Sequence, residues 1–178
     1  MVEYVHTPVS VSGKRGVVMG GTDGPGRAIA LGFASEGADV LATGPTDSLE
    51  ETAAATEATG VDTAGVTGDL TDQDAREAVR EAAVDAFGGI DVVVASQGAI
   101  SREALLDISG DEWDSVTDIA LDGVRRVTQA MAPAMDEDAI VNTFSLTAHL
   151  AALLPVEAPQ EKDRPSLPFY TQLGGLNR

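Results

Sequence analysis

Residues 15–37 read RGVVMGGTDGPGRAIALGFASEG, and three local patterns succeed one another within them. Arg15 to Met19 is a short apolar run of strand length carrying two adjacent valines. Gly20-Gly21-Thr22-Asp23-Gly24-Pro25-Gly26 is too glycine-rich to continue either a strand or a helix. The run RAIALGFASEG then spaces its apolar residues as a helix does. Gly20, Gly24 and Gly26 thus form a GxxxGxG pattern between strand and helix, where glycines permit a tight turn and let backbone N–H groups approach a pyrophosphate at the helix N-terminus. The plainer reading is a tight turn without a ligand; the strand before it and the helix after it favour the binding reading.

Working outward, the alternation continues. Asp39 to Thr43 (DVLAT) reads as a second strand ending at Gly44-Pro45, and Ser48 to Ala58 as an alanine- and glutamate-rich helix. A third strand is predicted within Asp62 to Thr67, closing on Gly68-Asp69-Leu70, with Thr71 capping the next helix through its hydroxyl. That helix places Ala75, Val79, Ala82, Ala83, Ala86 and Phe87 on one face and stops at Gly88-Gly89. Ile90 to Ala95 (IDVVVA) suits a central parallel strand buried on both faces, with Ser96-Gln97-Gly98-Ala99 at its carboxyl end. A long helix is predicted from about Asp111 to Pro133, with Trp113, Val116, Ala120, Val124, Val127 and Met131 at helical spacing. Ala139 to Phe144 is a fifth strand, and a proline-rich loop follows at about 149–168.

Strands alternating with helices imply right-handed crossovers and an α/β fold: a doubly wound parallel sheet that binds ligands at the carboxyl ends of its strands. A chain of 178 residues with 43% hydrophobic content is expected to form a single dinucleotide-binding domain over 1–178.

Charge excludes further classes of function. Against 29 acidic residues stand 11 basic ones, a formal charge of -18, which argues against nucleic-acid binding because phosphate contacts need a basic surface. The acids are spread along the chain, as on a halophilic protein whose surface stays hydrated in concentrated salt. With no cysteine and two distant histidines, His6 and His149, no metal site is expected. The apolar runs are too short to span a bilayer and the N-terminus does not read as a signal peptide, so no membrane association and a cytoplasmic location are expected.

On these residues the chain resembles the short-chain dehydrogenase/reductase family, from Ser12 onward over nearly its whole length. The family's TGxxxGIG corresponds to Met19 through Gly26, with Met19 at its Thr and Pro25 at its Ile. Gly68-Asp69-Leu70 resembles the adenine-contacting element, and Ala95-Ser96-Gln97-Gly98 stands where the family has NNAG. The resemblance implies a Rossmann fold holding NAD or NADP through Gly20, Thr22, Asp23, Gly24, Pro25, Gly26, Asp69, Leu70, Ala95, Ser96 and Gly98. Thr43-Gly44-Pro45, after the second strand, offers neither a carboxylate for a ribose 2′-hydroxyl nor an arginine for a 2′-phosphate; Arg27 could assist a phosphate and Asp23 would repel one. The cofactor therefore stays open between the two.

The resemblance also implies a catalytic serine and tyrosine. IVNTFSLTA places Ser145 at the serine that orients the substrate carbonyl, and Tyr170 is the tyrosine candidate. The family's lysine four residues later is Gly174 here; aligning GLNR with the family's similar run instead puts Phe169 and Leu173 at the two positions. In WDSVTDIA the family's supporting asparagine is Ala120. An unassisted tyrosine, with a pKa of about 10, is about 0.1% ionised near neutrality, which slows alcohol oxidation but leaves the neutral phenol available as an acid for carbonyl reduction.

The family continues through a further helix and two strands beyond the end of this sequence, so two expectations stand: the open sheet edge is covered by a partner or by a second copy in a homo-oligomer, or the sequence is a truncated or divergent relative. Two functions remain in view: an oxidoreductase transferring a hydride between NAD(P)H and a small carbonyl or alcohol substrate, and a non-catalytic nucleotide-binding or scaffold relative without the active-site lysine.

Overall fold

The computed structural model describes residues 10–96, 98, 101, 107–135 and 139–142. They form five strands and five α-helices in strict alternation for the first seven elements: β1 (Arg15–Met19), α1 (Gly24–Ser35), β2 (Asp39–Thr43), α2 (Thr46–Glu57), β3 (Thr63–Val66), α3 (Gln73–Phe87) and β4 (Val92–Ala95). Then come α4 (Gly110–Thr117), a π-helical stretch (Asp118–Gly123), α5 (Val124–Met131), a 3-10 turn (Ala132–Ala134) and β5 (Ala139–Asn142). The strands make one parallel sheet in the order β3-β2-β1-β4-β5. Chain order reverses between β1 and β4, which leaves a crevice at their carboxyl ends.

Alternation along β1 shows why the sheet is covered on both faces. Val17 and Met19 join Leu41, Val79, Val93, Val127 and Met131 in one buried cluster, whereas Val18 joins Ala30, Ala34, Val40 and Val94 in another. Successive strand residues point to opposite faces, so each cluster takes every second residue. Helices α3 and α5 supply the first cluster and α1 the second. Each fully buried valine or leucine contributes roughly 1.5–3 kcal/mol of apolar transfer, which a chain so poor in aromatics obtains from many small side chains.

Three expectations are corrected. Thr71 does not cap α3: the N-cap is Asp72, and the Thr71 hydroxyl donates instead to Asp69 Oδ1 at 2.7 Å. Ala86 is exposed, and Arg76 lies buried on the face that the apolar spacing assigned to small residues. The predicted long helix is interrupted by the π-helical stretch, whose wider turn inserts extra residues and rotates the helix face. Consequently Val127 and Met131 are buried, but Trp113, on the other side of the insertion, is 53% exposed. The proline-rich segment and the last two residues of the expected fifth strand lie outside the described residues.

Candidate cofactor site

The glycine turn joins the carboxyl end of β1 to α1. Gly20 has a φ of 68°, in the left-handed region that glycine enters without steric cost. A methyl group on Gly26 would overlap the Gly20 carbonyl oxygen and crowd the Ser96 side chain at 3.3 Å, so the start of α1 lies directly on the turn. Two bonds fix this turn to the neighbouring strand: the Gly20 N–H donates to Thr43 Oγ1 at 3.1 Å, and the Gly21 N–H to the Thr43 carbonyl at 3.0 Å. On the other side the Ser96 N–H donates to the Met19 carbonyl at 3.0 Å. The turn is thereby held between β2 and β4, at the reversal of the sheet.

Its outer surface is suited to an anion. Asp23 stands at the N-cap of α1 but makes no side-chain capping bond, and Pro25 fills a first-turn position where its missing N–H is no loss. Nothing lies within 4 Å of where a Gly24 side chain would project. The positive end of a twelve-residue helix therefore faces open space with its first-turn amides uncapped by Asp23. Thr22 is buried against Gly44, and its hydroxyl has no hydrogen-bond partner among the described residues. A buried hydroxyl without a partner fits a site completed by a ligand.

Beside the turn is a cleft of about 210 Å³ lined by Gly20, Thr43, Gly44, Gly68, Asp69, Leu70, Thr71, Ile119 and Gly123. It takes its walls from the ends of β1, β2 and β3 and from the π-helical stretch. Asp69 Oδ1 accepts from the Thr71 N–H at 2.9 Å and from the Thr71 hydroxyl, and these bonds, the backbone one foremost, hold its pKa below the ordinary carboxylate value. Asp69 is therefore an anion at neutral pH, able to accept a hydrogen bond from an amino group of a base.

Of the residues expected at the site, Gly20, Asp69 and Leu70 line the cleft, and Thr22, Asp23, Gly24, Pro25 and Gly26 form the adjoining turn and helix start. Ser96 touches the turn; Ala95 is fully buried in β4, and Gly98 is exposed beyond it. Ser145 and Tyr170 lie outside the described residues. Ile119, Gly123 and Thr71 were not singled out as cleft residues. The first two reach the cleft because of the π-helical stretch, for which the sequence carries no plain signal. Among the described residues no group of three His, Asp or Glu side chains gathers as a metal site, and no helix is long and apolar enough to cross a membrane.

A parallel sheet with this strand order, a glycine turn at its switch point and an adjoining cleft at the strand ends define a Rossmann-type domain. More particularly, the chain belongs to the short chain dehydrogenase family, whose model matches residues 14–154. It is 35% identical over 126 residues to 2-dehydro-3-deoxy-D-gluconate 5-dehydrogenase of Escherichia coli, an alignment covering 69% of this chain and 48% of that protein. Its fold is similar to a short chain dehydrogenase from Burkholderia cenocepacia in complex with NADP, with a TM-score of 0.74, 28% identity, and coverage of 94% of this chain and 65% of that one. A short chain dehydrogenase from Mycobacterium paratuberculosis bound to NAD gives a TM-score of 0.71 at 28% identity, covering 75% of this chain and 56% of that one. The chain spans about half the length of the curated relatives it matches, from 48% to 60% of three of them.

Proposed function

We propose that this chain serves an NAD(P)-dependent oxidoreductase reaction, transferring a hydride between the cofactor and a small carbonyl or alcohol. The observation that carries the reading is the uncapped N-terminus of α1 on a glycine turn at the switch point of the sheet, beside a cleft with an ionised Asp69. The turn and the first amides of α1 hold the pyrophosphate, and the cleft takes the adenosine end. Gly20, Thr22, Asp23, Gly24, Pro25, Gly26, Asp69, Leu70, Ala95, Ser96 and Gly98 make up the cofactor site. Relatives solved with NADP and with NAD support either nicotinamide dinucleotide.

When bound, the reduced nicotinamide supplies the hydride. Ser145 donates a hydrogen bond to the substrate carbonyl oxygen, and Tyr170 delivers the proton to that oxygen as the carbon is reduced. With Gly174 four residues beyond it, Tyr170 has no lysine at the family's position to lower its pKa, so it serves as a neutral acid and the reduction direction is favoured. The substrate is a small carbonyl compound, not a nucleic acid. The reaction belongs to the cytoplasm of a cell rich in salt, where a charge of -18 keeps the surface hydrated.

The test is an assay of small aldehydes and ketones with NADH and NADPH in concentrated salt, following loss of the reduced nicotinamide absorbance. Reduction that disappears in Y170F and falls in S145A supports the assignment. Cofactor binding with no turnover of any carbonyl would leave the chain a nucleotide-binding relative without the chemistry.

A further inference from the structure

Arg76 is 8% exposed and sits in the first half of α3, a poor place for a cation. The N-terminal end of a helix disfavours positive charge, and burying a guanidinium costs free energy unless its donors are used. Here Nη1 donates to the Leu70 and Thr71 carbonyls, both at 2.8 Å. Those two residues line the cleft, and Thr71 in turn donates its N–H and hydroxyl to Asp69 Oδ1. The turn is closed by the Asp72 N–H donating to the Asp69 carbonyl at 2.9 Å. Residues 69–72 are thus held from two sides, by a buried cation behind and by a carboxylate at the rim. Asp69 Oδ2 carries no hydrogen bond among the described residues and stays open to a ligand.

We propose that Arg76 is a positioning residue for the adenosine half of the cofactor cleft, fixing the turn that carries Asp69, Leu70 and Thr71. The proposal rests on the reading of the cleft as a dinucleotide site. Arg76 touches no ligand; its effect passes through two backbone carbonyls. An apolar side chain of the same length would fill the same space but leave both carbonyls without their donor, freeing the turn to rotate Asp69 away from the cleft. The glycine turn, read above as the pyrophosphate site, lies on another loop and takes none of the Arg76 bonds, so a mononucleotide whose phosphate binds there without entering the adenosine cleft should be indifferent to the change.

The experiment compares R76M and R76K with the unsubstituted chain in concentrated salt, using ADP-ribose as probe of the adenosine half and reduced nicotinamide mononucleotide as probe of the other, with the thermal midpoint measured alongside. The expected result is that R76M weakens ADP-ribose binding by about tenfold, leaves the mononucleotide within about twofold, and that R76K, which keeps the charge and N–H donors, recovers most of the loss. Unchanged ADP-ribose binding in R76M, equal weakening of both probes, or no recovery in R76K would overturn the proposal. Should R76M fail to fold, R76Q, too short to bring a donor to both carbonyls, takes its place: selective weakening of ADP-ribose by about fivefold or more supports the assignment, and an unchanged ratio of the two affinities overturns it. If the unsubstituted chain binds no ADP-ribose, the dinucleotide reading of the cleft falls, and the role of Arg76 with it; normal binding there with no effect of R76M removes only the role of Arg76.

Discussion

Arg15 and Asp91 meet at the amino-terminal ends of β1 and β4, the end of the sheet opposite the glycine turn. The Arg15 N–H and Nε each donate to Asp91 Oδ2 at 2.8 Å, and Nη2 donates to Oδ1 at 2.7 Å. These bonds hold the Asp91 pKa down to about 2, against a desolvation that pushes it upward. Because the folded value lies below the unfolded one, near 3.9, the stabilisation is fully present above about pH 5 and is lost as pH falls through about 2. Asp91→Asn should therefore lower stability at neutral pH by about 1–3 kcal/mol, and the difference from the unsubstituted chain should shrink steadily below about pH 4. Denaturant melts of both proteins across that range check it; a gap independent of pH would show that the carboxylate charge is not what Arg15 requires.

Among the elements, the π-helical stretch Asp118–Gly123 does most to separate expectation from structure. It turns Ile119 toward the cleft while leaving Val127 and Met131 in the core. Ile119→Ala removes apolar contact worth about 1–2 kcal/mol, so it should weaken binding of an adenine dinucleotide by about five- to thirtyfold with little change in the thermal midpoint. Isothermal titration and a melt of the same preparation test this, and unaltered affinity would place the adenine elsewhere.

This stretch also shows what was legible at the level of elements. The β1-turn-α1 unit could be read because strand pattern, glycine spacing and helix pattern all point the same way. Trp113 and Ala120 share the apolar spacing of Val127 and Met131 in the sequence yet are exposed, because the wider turn changes the register between the residues before it and those after it and leaves no mark in residue type. Arg76 escapes the sequence reading for a different reason: its role is a pair of bonds to backbone carbonyls, which any apolar-periodicity argument passes over, while Thr71 reads as a helix cap although its hydroxyl turns to the Asp69 carboxylate. Ser145 and Tyr170 were singled out through the resemblance alone.

At the scale of the whole molecule, charge and connectivity govern. Asp118 and Asp122 pair with Arg125 and Arg126, but 11 basic residues leave most of the 29 acids without a cation. Self-repulsion of this kind is screened within about 10 Å at 0.1 M salt and within about 3 Å at 1 M. Thermal midpoints should rise steeply from low salt to molar potassium chloride, reflecting a fold adapted to concentrated salt. A midpoint independent of salt would count against the halophilic reading without touching the fold, which rests on the two-faced burial of the parallel sheet.

The glycine turn and the cleft beside it are expected to bind a nicotinamide dinucleotide. The most direct test is a titration with NADH and NADPH in molar salt, followed by nicotinamide fluorescence, on the unsubstituted chain and on Gly26→Ala, whose added methyl group would overlap the Gly20 carbonyl. Saturable binding of at least one dinucleotide is expected, with its loss in the variant. No binding of either at about millimolar concentration (where even a weak site, at about 4 kcal/mol, half-fills) by a protein shown to be folded would contradict it.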